Sequence, residues 1–176
     1  FNAKRRALEL DFLVFLDGDA AARDAGRWPV IAAAAAGSPA TEIDIFPAET
    51  LAALPGGLAD RARIDLIETE AAVPTDRTVE DRGMVVHSAA PVNVAGRPGV
   101  LVGGILLNRN LQFIDTINAL VYLNAVTGGD RQGTATLFLD DVRVSTNVRL
   151  FEEVRALGTR VSAAVRGAVL DEGRTW

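Results

Sequence analysis

The stretch "GMVVHSAAPVNVAGRPGVLVGGILL", residues 83–107, restricts the fold more than any other part of the chain. Its two apolar runs flank the turn signal "NVAGRPG" and together predict a hairpin of central strands. Three further strands are expected upstream. Phe12 to Leu16 form a continuous apolar run ended by Asp17-Gly18, a turn signal, while "TEIDIF" and "ARIDLIET" alternate. Between the first and third strands, "RWPVIAAAAAG" has Pro29 in the first turn and Gly37 past the last apolar residue, which fits a short helix. "PAETLAALPGG" predicts a further helical turn. Residues 10–107 thus read as a mainly antiparallel sheet of about five strands, an α+β arrangement in which the inserted helices leave a concavity on one face.

Downstream, "NRNLQFIDTINALVYLNAV" predicts a connecting helix with Phe113, Ile114, Ile117, Leu120 and Val121 on one face. The loop "TGGDRQG" leads into the strands "TATLFLDD" and "VRVSTNV", joined at Asp140-Asp141. Leu157, Val161, Ala164, Val165 and Ala168 predict a second amphipathic helix ending near Gly173. The expected division is a helical remnant at residues 1–9, a first module at 10–107, and a connecting helix with a second module at 108–176. No repeat or low-complexity tract interrupts it.

At 176 residues with 49% apolar content, the chain has enough material for a real core. A formal net charge of −5, with Lys4 the one lysine and arginines scattered among carboxylates, argues against a nucleic-acid partner. The absence of cysteine removes disulfides, thiolate catalysis and cysteine metal sites. The longest uncharged apolar run, "WPVIAAAAAG", is far shorter than the roughly 18 residues of a membrane span. The abrupt beginning "FNAKRRALELD" and the ending "DEGRTW" suggest a piece of something longer.

Few residues suggest chemistry. His87, the single histidine, sits within a strand without a visible nucleophile or orienting partner, so a hydrogen-bonding role in a pocket suits it better than catalysis. Ser88 beside it lacks the G-x-S-x-G setting of an exposed nucleophile. Asp17, Asp19, Asp24 and Asp140-Asp141 lack the spacing of a calcium loop and read as turn formers, so no metal is expected. "VGGILLNRN" and "TGGDRQG" carry no phosphate-loop pattern, so no nucleotide cofactor is expected. Gly103-Gly104 in a strand permits close approach of another element or a ligand. Arg27, Trp28 and Arg63 are the strongest ligand candidates: an arginine fork holds a carboxylate at two points and an indole forms a pocket wall. The candidate ligand-binding set is Trp28, Arg63, His87 and Ser88, with no catalytic set.

"GTATLFLDDVRVSTNV", followed by "RALGTRVSAAVRGAVLDEG", resembles the Cache-type extracytoplasmic sensor domains of bacterial histidine kinases and chemoreceptors. With "GGILLNRNLQFIDTINALVY" before it, the pattern is similar to the double-Cache family of two-component sensor kinases. Positions 83–176 carry the resemblance, and positions 1–82 share only the order of elements. The resemblance implies two PAS-like modules on a long N-terminal helix, of which "FNAKRRALE" would be the remnant. It also implies a periplasmic location, a membrane-anchored full-length protein and a homodimer. Arg143, Thr146, Asn147, Arg155, Gly158 and Thr159 would then be structural, with an arginine tying carbonyls at the hairpin end and Gly158 turning the chain into its helix. The family pattern continues through further strands past Trp176, so the second module is expected to be incomplete, with a free edge along "ATLFLD".

The function expected on this basis is ligand sensing, with a small molecule such as a carboxylate or amino acid shifting the helices that lead to a cytoplasmic kinase, and no catalysis by this chain. The alternatives are the sensor of a chemoreceptor, a small hydrolase or isomerase using His87 with Asp65 or Glu68, and a spacer that mediates dimerisation.

Overall fold

The computed structural model describes residues 1–122, 126–127, 130–131, 133–151 and 153–176. The chain divides into two compact units, residues 1–59 with 82–106, and residues 60–81 with 107–176.

In the first unit, a short helix α1 (Asn2–Ala7) precedes strand β1 (Phe12–Asp17). Asp17-Gly18 is a helix start where a turn was expected: the Asp17 carboxylate accepts from Ala20 N at 2.9 Å and caps α2 (Gly18–Ala25). Helix α3 (Pro29–Ala35) follows, with Pro29 in its first turn and Gly37 beyond its end at φ 98°. Strand β2 (Ala40–Phe46) and helix α4 (Ala48–Ala53) complete the first half, and α5 (Leu58–Ala62) runs across the division between units. Strands β3 (Ile64–Asp65) and β4 (Val79–Glu80) belong to the second unit.

The expected hairpin is formed by β5 (Gly83–Val94) and β6 (Arg97–Leu106). Val94 pairs with Arg97, and Ala95 and Gly96 both have positive φ, at 51° and 80°, the backbone twist that two-residue hairpin loops favour. The sheet is antiparallel with order β1-β6-β5-β2. Its register places Phe12, Val14 and Leu16 on one face with Val100, Val102, His87, Ala89, Val85, Asp44 and Phe46. Helices α2 and α3 pack on the sheet, and the buried core includes Phe12, Trp28, Val30, Ile31, Ala34, Phe46, Leu51, Val85 and Val102. Gly104 lies opposite Phe12, and a Cβ there would come within 2.7 Å of the Phe12 ring and of the Val86 carbonyl. The glycine expected to allow a close approach therefore admits a core phenyl ring.

The sequence division at residue 107 separates elements that the structure groups differently. Residues 60–81 join the second unit because Ile64 and Asp65 pair with Glu80 and Val79, and Ile64 packs with Leu139, Val142 and Val144. "ARIDLIET" is a strand only at β3, although Leu66 N still donates to the Thr78 carbonyl and Ile67 N to the Gly158 carbonyl.

The connecting helix is α6 (Leu111–Val121). Asn110 caps it by accepting from Phe113 N at 3.0 Å, so Asn110→Ala is expected to destabilise the protein by about 1 kcal/mol in chemical unfolding. Its buried positions are Ile114 and Asn118, while Leu120 and Val121 are exposed, which corrects the apolar face expected from periodicity. Asn118 is held there by donating to the Gly133 carbonyl at 3.0 Å. Strands β7 (Val126–Thr127) and β8 (Asp130–Arg131) pair antiparallel, and the remainder of the "TGGDRQG" loop before Gly133 lies outside the described residues.

Strands β9 (Thr136–Leu139) and β10 (Val142–Thr146) form a hairpin that turns at Asp140, φ 52°, and Asp141. Along the other side of β10, Arg143 N donates to the Thr159 carbonyl and Gly158 N to that of Arg143, while Val142 bridges to Arg160. Among the described residues, β9 pairs only with β10. Strands β11 (Arg149–Phe151) and β12 (Val154–Arg155) make a further short pair. The final helix is shorter than its sequence pattern. Ser162 caps α7 (Ala163–Arg166), which continues into a π-helical turn, Gly167–Asp171, leaving Leu157 and Val161 outside.

Candidate functional site

Between the sheet and helices of the first unit lies a cavity of about 340 Å³. Its floor is Phe12, Val14 and Leu16 of β1 with Val102 and His87 of the central strands. Trp28, Ile31 and Phe46 form apolar walls, and Asp24, Arg27, Glu49 and Thr50 supply the polar lining.

His87 is 1% exposed in an otherwise aromatic setting. The Trp28 and Phe46 rings meet it edge to face, with centroids 5.7 and 5.0 Å away, and stand 4.4 Å from each other. Its Nε2 is 2.6 Å from Asp44 Oδ2 across the β2–β5 pair. An ionised carboxylate only accepts, so Nε2 carries the hydrogen in this bond. Nδ1 is buried without a hydrogen-bond partner. Arg27 stacks 5.0 Å from the Trp28 ring and lies 3.7 Å from Glu49. Both charged side chains are well exposed, at 49% and 74%, so they sit at the rim while His87 sits at the bottom.

Of the four ligand-binding residues expected from sequence, the cavity brings together Trp28 and His87. Ser88 does not join them, because neighbouring strand residues point to opposite faces. It shares a 2.6 Å hydrogen bond with Thr41 and lines an apolar groove on the other face with Leu13, Leu101 and Ile105. Arg63 belongs to the second unit, where it is exposed and 3.8 Å from Asp65. Asp65 and Glu68 lie in that unit too, and the carboxylate beside His87 is Asp44. The alternation of "TEIDIF" points the other way: it marks Ile43 and Ile45 as the buried face, yet they are 60% and 40% exposed, and Asp44 shares the His87 face with Phe46.

The second unit has its own cavity of about 430 Å³, formed by residues 66–70, 72–75, 77 and 78 with Arg160. Both of its arginines are already paired: Arg160 donates to Asp141 and to the Val73 carbonyl at 2.6 Å each, and Arg77 donates to Glu80 at 2.5 Å. Among the described residues, no group of three His, Asp or Glu side chains could hold a metal ion.

The motif residues of the second unit face one another. Thr146 shares a 2.7 Å hydrogen bond with Thr136, and Asn147 accepts from Ala135 N at 2.8 Å. Arg143 donates to the Thr159 hydroxyl at 3.0 Å, which in turn donates to the Ala156 carbonyl. Burial pushes the Arg143 guanidinium below its ordinary pKa, and its Nε lacks a partner. Arg155 grips Asp115 through two 2.8 Å bonds and donates to the Thr146 carbonyl; the Asp115 hydrogen bond holds its pKa above the ordinary value. A lysine cannot reproduce that fork, so Arg155→Lys is expected to lower stability by about 1 kcal/mol, read from the unfolding midpoint.

Residues 105–176 match the family described as single Cache domain 3. The match begins at the end of β6 and covers α6, the β9–β10 hairpin and the motif residues. The mixed helix and antiparallel sheet architecture agrees with a Cache or PAS-like α+β fold. Cache domains are typically extracellular sensors, so the match points to an extracytoplasmic ligand-sensing domain. Among the described residues, no helix is long and apolar enough to cross a membrane. No curated protein and no solved structure matches the chain significantly.

Proposed function

We infer that the chain is the ligand-sensing input of a membrane-anchored receptor, that its first unit holds the ligand, and that the output is a histidine kinase. The Cache match over residues 105–176, nearly all in the second unit, supports the sensor part of this reading. The cavity supplies the site: a small-molecule pocket is typically a largely apolar concavity with a few placed polar groups, and the His87 cavity has that composition. A ligand in contact with Trp28, Ile31 and β1 would bias the packing of α2 and α3 on the sheet, the kind of differential contact that shifts a conformational equilibrium.

The reading is of binding without turnover. His87 has an orienting carboxylate in Asp44, but its remaining nitrogen has no hydroxyl within hydrogen-bond reach, and the chain contains no cysteine. A metabolite panel is expected to contain a compound that raises the melting temperature. At a hundredfold excess over Kd the stabilisation is about 2.7 kcal/mol. The same compound should change autophosphorylation of the full-length receptor in membrane vesicles. Binding without any autokinase would assign the sensor to a chemoreceptor, and turnover abolished by His87→Ala would replace the reading with an enzyme.

A further inference from the structure

Resting on the reading of the first-unit cavity as the ligand site, we propose that its ligand is an organic monocation, an amine carried on an apolar or aromatic body and protonated at neutral pH. The ammonium takes the place that the Arg27 guanidinium holds over Trp28, and Arg27 is the protein's own competitor for that place.

The rim of the cavity already contains a site for a cation, with a cation in it. Arg27 lies over the Trp28 ring, 5.0 Å from its centre, and 3.7 Å from the Glu49 carboxylate, so a ring face and an anion converge on one positive group. Arg27 and Glu49 are both well exposed, so these groups are within reach of a molecule arriving from solvent. An exposed ion pair is weak, and a ligand cation can replace the guanidinium by turning out a surface side chain, without unpacking the core.

The charges that line the cavity select against an anion. Asp24 and Glu49 both contribute carboxylates, and Arg27 is the one arginine or lysine of the lining. Because Arg27 pairs with Glu49, Asp24 is left uncompensated, and with Arg27 turned out the rim presents two negative charges. A carboxylate ligand would meet both of them and compete with Glu49 for a single guanidinium. Below the rim, Phe12, Val14, Leu16, Ile31 and Val102 accept an apolar body and leave the charged end at the mouth. The cavity volume of about 340 Å³ is at the small end of ligand pockets and suits one ring with a short chain.

Three probes separate the possibilities: phenethylamine, phenethyl alcohol and hydrocinnamate share a phenyl ring on a short chain and end in an ammonium, a neutral hydroxyl or a carboxylate. In calorimetric titrations of the intact chain at low ionic strength, the amine is expected to bind about tenfold more tightly than the alcohol, and hydrocinnamate more weakly than either. Arg27→Gln decides whether the arginine is competitor or receptor. It should tighten the amine by about threefold, because a like charge and the occupant of the site leave together. Glu49→Gln should reduce the advantage of the amine over the alcohol. The wild-type comparison stands alone should a variant not fold. Hydrocinnamate binding tightest, amine and alcohol binding equally, no binding of any probe, or amine binding unchanged or weaker in Arg27→Gln overturns the proposal. The sensor reading fails separately, if no compound of a broad metabolite panel stabilises the protein.

Discussion

Replacing Asp141 with alanine is expected to destabilise the second unit by about 3–5 kcal/mol, the usual cost of removing one partner of a buried ion pair. Asp141 is 3% exposed and accepts from Nε and Nη2 of Arg160 at 3.1 and 2.6 Å. Without it, a guanidinium whose side chain is 11% exposed keeps its charge and loses its counter-ion. The loss also reaches the chain beyond the pair. Arg160 donates to the Val73 carbonyl and its own backbone N–H donates to the Thr69 hydroxyl, so the ion pair fixes the 66–78 segment against residues 158–161. Urea unfolding should show the lower midpoint. A variant within 1 kcal/mol of wild type, on the order of a surface pair, would contradict the buried character of this contact.

Gly158→Val is expected to destabilise by about 2–5 kcal/mol, for two independent reasons. Gly158 has φ 78°, a conformation that a β-branched residue strongly disfavours, and a Cβ there would collide with the Asp65 carbonyl. The turn cannot relax easily, because Gly158 N donates to the Arg143 carbonyl while its own carbonyl accepts from Ile67 N. Gly167 is the control. It is helical, a Cβ there meets nothing within 4 Å, and Gly167→Ala should stabilise by about 0.5–1 kcal/mol. Equal effects at the two glycines would refute the assignment of Gly158 as a conformational requirement.

The fold was most legible where short-range rules dominate. The β5–β6 hairpin, α3 between Pro29 and Gly37, and the β9–β10 turn at Asp140 are each set by local turn and cap chemistry. Where tertiary pairing decides, the sequence misled. "ARIDLIET" alternates like a long strand, yet only Ile64 and Asp65 find a ladder partner. Periodicity placed Leu157 and Val161 in the last helix, but their backbone lies before the Ser162 cap, where Val161 N donates to Asp141. The site was half legible for a similar reason. An aromatic beside a helix start and a histidine in an apolar strand were visible as Trp28 and His87. The pairing of β2 with β5 that brings Asp44 to His87, and the distribution of Arg27 and Arg63 between two units, depend on contacts distant in sequence.

A signal molecule is expected to bind in the cavity between the first sheet and its helices. The direct measurement is the thermal shift of wild type and Thr50→Trp with the same ligand. Thr50 lines the cavity on α4 and is partly exposed, so an indole there can fill the space with little repacking of the sheet. The prediction is a ligand-free melting temperature within a few degrees of wild type and a ligand-induced shift reduced to near zero. An undiminished shift in Thr50→Trp would place the ligand elsewhere and contradict the account.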